Sequence, residues 1–222
     1  MTKGFIKQRK IAADKIIKAN QDYIKEVVAR HRGDKKPFDI PTDKKAYCTQ
    51  LILDDGKSIL CNGYIWVKLN EPIADITNCP ENLKSEWKMK EVELKEVIKG
   101  NSNFGESCIY QPMTFTLKQI KAIKNSEFTK TLKDNYCFGG KLVYQFGYDK
   151  PLVNLELLIT LMQLLCDNDK VEAEFMIPES TVQPIVIKTN NGYGVVLPLR
   201  QEKPNKYYEW QEQYNSEQLE KL

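Results

Sequence analysis

LVNLELLITLMQLLC, residues 152–166, contains one charged side chain, Glu156, in an otherwise almost wholly apolar run. A helix that is apolar on nearly every side is buried in its own fold or covered by a partner. Around it the apolar pattern has the short period of strands. Lys141 to Phe146 reads as a strand before the helix. Val171 to Ile177, Pro184 to Thr189 and Tyr193 to Leu199 read as three strands after it. Asn191-Gly192 supplies the residue pair that a tight I′ hairpin turn favours. Pro198 has no N–H for a ladder, so it belongs on a sheet edge or where pairing stops.

The N-terminal end repeats this plan. Residues 8–31 form a helix, with Ala13, Ile17, Asn20, Ile24, Val28 and His31 at spacings of three and four on one face. Lys15, Lys18, Asp22 and Lys25 fall on the opposite face, with Arg32 toward its flank and Gly33 as a stop. A polar connection over 33–45 leads to strands at Tyr47 to Leu53, Ser58 to Cys61 and Tyr64 to Leu69, with turn signals at Asp55-Gly56 and Asn62-Gly63. Lys3 to Lys7 would be the first strand of this copy. The fold class is α+β: two βαβββ halves with antiparallel sheets and helices on one face. They comprise about 1–70 and about 137–200 of a single domain, with an insertion at about 71–136. Within the insertion, Trp87 to Lys99 reads as a strand entering a helix and Cys108 to Met113 as extended, while Thr116 caps a lysine-rich helix to about 124. The tail, 201–222, is polar and aromatic. Its Tyr207, Trp210 and Tyr214 recur at helical spacing and anchor a helix onto its own domain.

Composition sets bounds on function. The chain has 222 residues, is 41% hydrophobic and carries a net charge of +3, so the placement of charge must carry any nucleic-acid argument. The six cysteines include no C-x-x-C pair, which argues against zinc and for free thiols in a reducing compartment. MTKGFIKQRK lacks a signal-peptide core, and no apolar run spans a membrane, so a cytoplasmic location is expected. The single histidine, His31, falls on the apolar side of its helix, and no G-x-S-x-G, P-loop or H-E-x-x-H occurs. Gly139-Gly140 and Asp54-Asp55-Gly56 read as turns. No catalytic residue, metal ligand or cofactor is therefore assigned.

The stretch 137–200 resembles the C-terminal half-domain of bacterial DNA sliding clamps. It shares the leucine-rich helix, a Pro-hydrophobic middle strand (Pro184-Ile185-Val186-Ile187) and the hydrophobic-Pro-hydrophobic-Arg ending Leu197-Pro198-Leu199-Arg200. Leu60-Cys61-Asn62-Gly63-Tyr64-Ile65 is a weaker echo of a second clamp motif, without its acidic, His and Arg residues. The resemblance implies a non-catalytic, clamp-like binding protein for replication or mobile-element DNA processing. It would hold duplex DNA without base reading through a basic helix face, here Lys15, Lys18, Lys25 and Arg32. It also implies that Leu197, Pro198, Leu199 and Arg200 help form a peptide-binding pocket. Helix 152–166 has no basic side chain, so it is expected to be covered by the middle segment, the tail, a protein partner or self-association. Lys118, Lys121, Lys124, Lys130 and Lys133 mark a second basic surface. The alternative functions are a protein–protein adaptor that binds no DNA, and a small hydrolase or nuclease with an unrecognised site.

Overall fold

The computed structural model describes residues 2–32, 39–87, 109–126, 141–200 and 206–219, with side chains in the last segment described for 207–213. Expectations placed on 33–38, 88–108, 127–140 or the final three residues lie outside the described residues, as does the side chain of Tyr214. The described elements are α1 (Lys3–Arg30), α2 (Thr42–Ala46), β1 (Leu51–Ile52), β2 (Ser58–Cys61), β3 (Ile65–Leu69), β4 (Tyr110–Thr116), α3 (Leu117–Asn125), β5 (Val143–Gln145), β6 (Leu152–Asn154), α4 (Leu155–Leu165), β7 (Glu172–Pro178), β8 (Ile185–Thr189), β9 (Gly192–Val196) and α5 (Lys206–Leu219), with a 3₁₀ turn at Glu81–Leu83.

One antiparallel sheet has the order β1-β2-β3-β9-β8-β7-β4. Its first three strands form one meander. The next three form the other, in reverse, so the last strand of each meets the last strand of the other at the β3–β9 seam. The protein is thus α+β, with a helix and a three-stranded meander used twice. The predicted βαβββ halves differ from this at their first strands. Lys3 to Lys7 is the first turn of α1, capped by the Thr2 hydroxyl accepting from the Phe5 N–H. β5 pairs only with β6 in a separate ribbon and does not join the main sheet. The helix expected from 152 begins at Leu155, because 152–154 is β6 and Asn154 caps the helix by accepting from the Glu156 N–H. Tyr47 to Leu53 shrinks to the two-residue β1, since the chain is still leaving α2 at Tyr47.

Alternation of side chains across each strand makes two cores. Leu60, Val67, Phe175, Ile187 and Val196 face α1, α3 and α4. Ile59, Cys61, Trp66, Val186 and Val195 face the other way, against Ala46, Tyr47 and Trp87. Tyr47 and Trp87 meet edge to face at 4.9 Å. Helical structure therefore lies on both faces of the sheet, not one. The expected insertion is also no appendage. β4 pairs with β7 from Tyr110↔Pro178 to Thr116↔Glu172, and α3 adds the fully buried Leu117 and Ile120 to the first core. Thr116 and Gln119 close a reciprocal capping box at the start of α3.

Helix α4 lies at the centre of the first core. Leu155, Leu158, Ile159, Leu161, Met162, Leu164 and Leu165 are all buried, and α1, α3, β3, β8 and β9 pack around it. The partner or self-association expected to cover this helix is not required, because its own chain covers it. A side chain at Gly194 would place Cβ 2.6 Å from Leu161 Cδ1 and 2.7 Å from the Trp66 carbonyl oxygen, so the glycine lets α4 and β3 both approach β9. Gly192 is strand rather than turn. The hairpin turn is Asn190–Asn191, and neither residue has the positive φ of a I′ turn. At Gly192, φ is +142° and a Cβ would lie 2.2 Å from the Lys68 carbonyl oxygen.

Replacing Gly194 by alanine must displace Leu161 or part β3 from β9. Overpacking of this kind costs about 1–3 kcal/mol. The urea midpoint of Gly194→Ala is expected to fall accordingly, and an unchanged midpoint would show that α4 is not held at this distance.

Candidate functional site

The buried stripe of α1 is Phe5, Arg9, Ala12, Ala13, Ile16 and Asn20. It lies a little round the helix from the face predicted by sequence. Ile17 and Ile24 are half-buried, while Val28 and His31 are exposed because the last turns of α1 run past the sheet. The Asn20 side chain fixes the helix. Its Nδ2 donates to the carbonyl oxygens of Tyr47 at 2.7 Å and Cys61 at 2.8 Å, tying α1 to the end of α2 and to β2. Arg9 also turns inward. Its Nη2 donates to the Glu71 carbonyl oxygen at 3.2 Å and its guanidinium lies over the Phe5 ring. Burial pushes the Arg9 pKa down, against the opposing pull of Glu71 and Asp167.

The opposite face is solvent-exposed. Lys15, Lys18 and Lys25 are exposed on that side, while Arg32, read from sequence as lying toward the flank, is exposed in the turn beyond the helix's end at Arg30. A helical step of 100° per residue brings Lys7, Lys18 and Lys25 within about 20° of one another on the outermost line. Lys7 was hidden from sequence reading by the strand expected at Lys3 to Lys7. With α1 continuous from Lys3, the basic ridge from Lys7 to Lys25 runs for about 27 Å at 1.5 Å per residue.

The ridge is partly neutralised. Lys18 Nζ lies 2.6 Å from Asp22 and Lys25 Nζ 3.8 Å from the same carboxylate. The hydrogen bond from Lys18, with the charges of both lysines, holds the exposed Asp22 carboxyl below its usual range. Lys10 pairs with Asp14, and Arg30 with Glu26. Lys15 forms no ion pair among the described residues. The second basic surface is reduced further. Lys121 Nζ is 2.8 Å from Asp169 and Lys124 Nζ 2.5 Å from Glu156, so both tie α3 to α4 and its following turn. Lys118 remains exposed there.

Leu197 to Arg200 follow the central strand, so Pro198 blunts no edge and instead stands where pairing stops. The Leu197 N–H still donates to the Tyr64 carbonyl oxygen at 2.8 Å. The Leu199 N–H donates to the Leu152 carbonyl oxygen at 2.7 Å, carrying the chain across to the β5–β6 ribbon. Leu197 is 40% exposed, next to an exposed Tyr64, and Val182 is exposed near the start of the neighbouring β8. Leu199 is half-buried and packs into a third small cluster with Val143, Leu152, Tyr207 and Trp210. The four motif residues are therefore split: Leu197 and Arg200 face solvent, and Leu199 turns toward the tail helix.

Other candidate groups are structural. Among the described residues no cluster of three or more His, Cys, Asp or Glu is placed to hold a metal ion, and no helix is long and apolar enough to cross a membrane. Asp55 and Gly56 form the β1–β2 turn, where the Leu53 N–H bonds the Lys57 carbonyl oxygen. Cys48, Cys61, Cys79 and Cys166 are free thiols, and all but Cys48 are buried. Burial, with Asp167 and Asp169 nearby, pushes the Cys166 thiol up to about 12.

Among the described residues the outer edges of the sheet are interrupted. The Glu179 N–H donates to the Ile109 carbonyl oxygen, which sets the odd-numbered residues of β4 toward β7 and turns Tyr110, Pro112, Thr114 and Thr116 outward. Pro112 has no N–H, and the Thr116 N–H is taken by Gln119 Oε1 at 2.8 Å. At the other edge the Gln50 N–H donates to the Thr77 carbonyl oxygen and the Ile52 N–H to Asn78 Oδ1. Proline and covering segments are how natural sheets resist edge-to-edge growth. No family model, curated protein or solved structure matches this chain.

Two outcomes follow from this geometry. With Cys166 held so far from ionisation, iodoacetamide at about pH 8 is expected to leave it unmodified in the native chain and to alkylate it in urea, read by peptide mass. Equal labelling in both states would contradict its burial. Light scattering is expected to give a mass near 25.7 kDa at micromolar concentration, and an oligomer built through either sheet edge would overturn the edge argument.

Proposed function

We propose that the chain is a non-catalytic, clamp-like binding protein that rests the outer face of α1 against the phosphates of duplex DNA, without reading bases, in replication or mobile-element DNA processing. The supporting observation is the ridge of Lys7, Lys18 and Lys25, flanked by Lys15 and followed by the exposed Arg32 in the turn after it, on a helix whose other face is locked to the sheet by Asn20. A rigid line of lysines about 27 Å long meets several phosphates along nearly one turn of duplex. Each contact releases counterions, so affinity must fall with salt. With the sheet edges interrupted, the contact is side-on, not through a ring closed by sheet extension.

If about four phosphates are engaged, binding is expected to weaken roughly a hundredfold between about 50 and about 200 mM salt, with no sequence preference. Fluorescence anisotropy with unrelated duplexes measures both. The triple variant Lys7→Gln, Lys18→Gln, Lys25→Gln should flatten the salt slope. Asp22→Asn should tighten binding severalfold by releasing Lys18 and Lys25. Salt-independent binding, or a triple variant that binds like wild type, would remove α1 from the reading.

A second reading, the protein–protein adaptor, draws on the exposed Tyr64, Val182 and Leu197 at one end of the sheet. It is favoured if duplex DNA is not retained at any salt concentration.

A further inference from the structure

The outward line of α1 is not made of charge alone. Ile11 is 47% exposed within it. At 100° per residue Ile11 lies about 20° from Lys18, and about 40° from Lys7 on one side and from Lys15 on the other. Lys7 and Lys15 are each four residues away, so they stand about one helical turn before and after it. All three lysines are exposed. Ile6, Tyr23 and Val28 are exposed on the same helix, but each lies about 60° or more from Lys7, Lys18 and Lys25. A single exposed apolar side chain is ordinary on a protein surface. Position sets this one apart. Ile11 belongs to none of the packed clusters of the described residues. A β-branched residue also favours a helix less than lysine or glutamine would at an exposed position. Neither the core nor the helix accounts for it, and the surface it does belong to is the one between Lys7 and Lys15.

We infer that Ile11 is the contact by which α1 tells deoxyribose from ribose: with Lys7 and Lys15 on phosphates, Ile11 lies against the sugar carbons between them and rejects a 2′-hydroxyl. The inference rests on the α1–duplex reading and names the sugar that this face accepts. Phosphate contacts position a polynucleotide, but DNA and RNA share them. The 2′-hydroxyl is the group that separates the two. A methyl surface pressed onto the C2′ methylene of DNA takes apolar area out of water. The same surface on ribose covers a hydroxyl and gives it no partner, which disfavours the complex roughly fivefold or more. The carboxylate one turn on, Asp14, pairs with Lys10 on the side away from Ile11. Ile11 carries no charge, so its contribution is separable from that of the lysines by the response to salt.

The test uses the full chain and fluorescein-labelled duplexes of one sequence, made as DNA and as RNA, with anisotropy read across a salt series. The wild-type chain is expected to bind the DNA at least about fivefold more tightly than the RNA. Ile11→Ser should bring the two affinities within about twofold of each other and leave the salt slope on DNA unchanged, because no charge is removed. Ile11→Val keeps the methyl surface and should keep the preference. A preference that is missing in the wild type, or that survives Ile11→Ser because the two duplex shapes alone produce it, overturns the inference and leaves the α1 reading standing. A flatter salt slope in Ile11→Ser also overturns it, since the substitution would then be acting through the lysines. Failure to bind either duplex at any salt concentration overturns the α1 reading and this inference with it.

Discussion

The close approach of α4 to the β3–β9 seam, made at a glycine, holds the rest of the molecule in place. Gly194 leaves the space that Leu161 fills, while the Trp66 carbonyl lies on the other side of the same position. Among the described strands the two meanders pair along this seam, so a helix pressed onto it joins them from above. The C-terminal carbonyls of α4 are then satisfied by side chains from elsewhere. Gln8 of α1 donates to the carbonyl oxygens of Gln163 and Cys166, and Thr189 and Asn191 at the β8–β9 turn both donate to that of Leu165. Buried helix ends need such partners, because an unmet carbonyl costs as much as a lost hydrogen bond. α1, α4 and the last hairpin are thus fixed to one another before any surface chemistry is considered.

How much of this was legible in the sequence follows from which signals are local. The apolar run ending at Cys166 announced a buried helix, and the strand-like runs after it are short and separated by polar and turn residues, so the second meander was readable. Thr116 announced the start of α3, and the structure adds Gln119 as the other half of its capping box. The same local signals failed where tertiary contacts decide. Lys3 to Lys7 stands where the repeated plan expects a first strand, but a helix from Thr2 onward buries Phe5 and Arg9 on the stripe of Ala12 and Ile16. Asn191-Gly192 has the composition of a I′ turn, yet the chain places Gly192 inside β9, where only a residue without Cβ fits against Lys68. β4 has exposed side chains along most of its length, so no apolar alternation marks it as the seventh strand. The strand order, with halves meeting at their last strands, has no signature in one sequence.

The candidate site shows the same division. Which lysines of α1 face outward is a matter of helical period, and Lys15, Lys18 and Lys25 were readable on that ground. How much positive charge they present is not, because it depends on Asp22 lying within reach of two of them. Arg9 also shows how net charge misleads: it counts toward the basic total but is held under the helix against the Glu71 carbonyl, where no phosphate can reach it. The exposed Lys18–Asp22 pair contributes little to stability, since solvent screens it. Its consequence is for recognition, because a phosphate approaching Lys18 must displace or tolerate the carboxylate between it and Lys25.

The interrupted edges constrain what such a face can do. A sheet interrupted at Pro112 on one side and covered by the Thr77–Asn78 segment on the other is poorly suited to building a larger body by strand pairing, so the proposed contact with a long polymer is assigned to a helix face or a sheet end. The α1 face is straight, basic and backed by a rigid core, which suits a uniform charged rod that is not read base by base. The Tyr64–Leu197 end is apolar and irregular, which suits a folded or helical protein partner instead. The two surfaces adjoin, because Asn20 of α1 bonds the Cys61 carbonyl oxygen and Lys44 Nζ lies over the Tyr23 ring of α1 and close to Gly63, the residue before Tyr64. The two proposed readings therefore imply competition at that end of the helix, not independent sites.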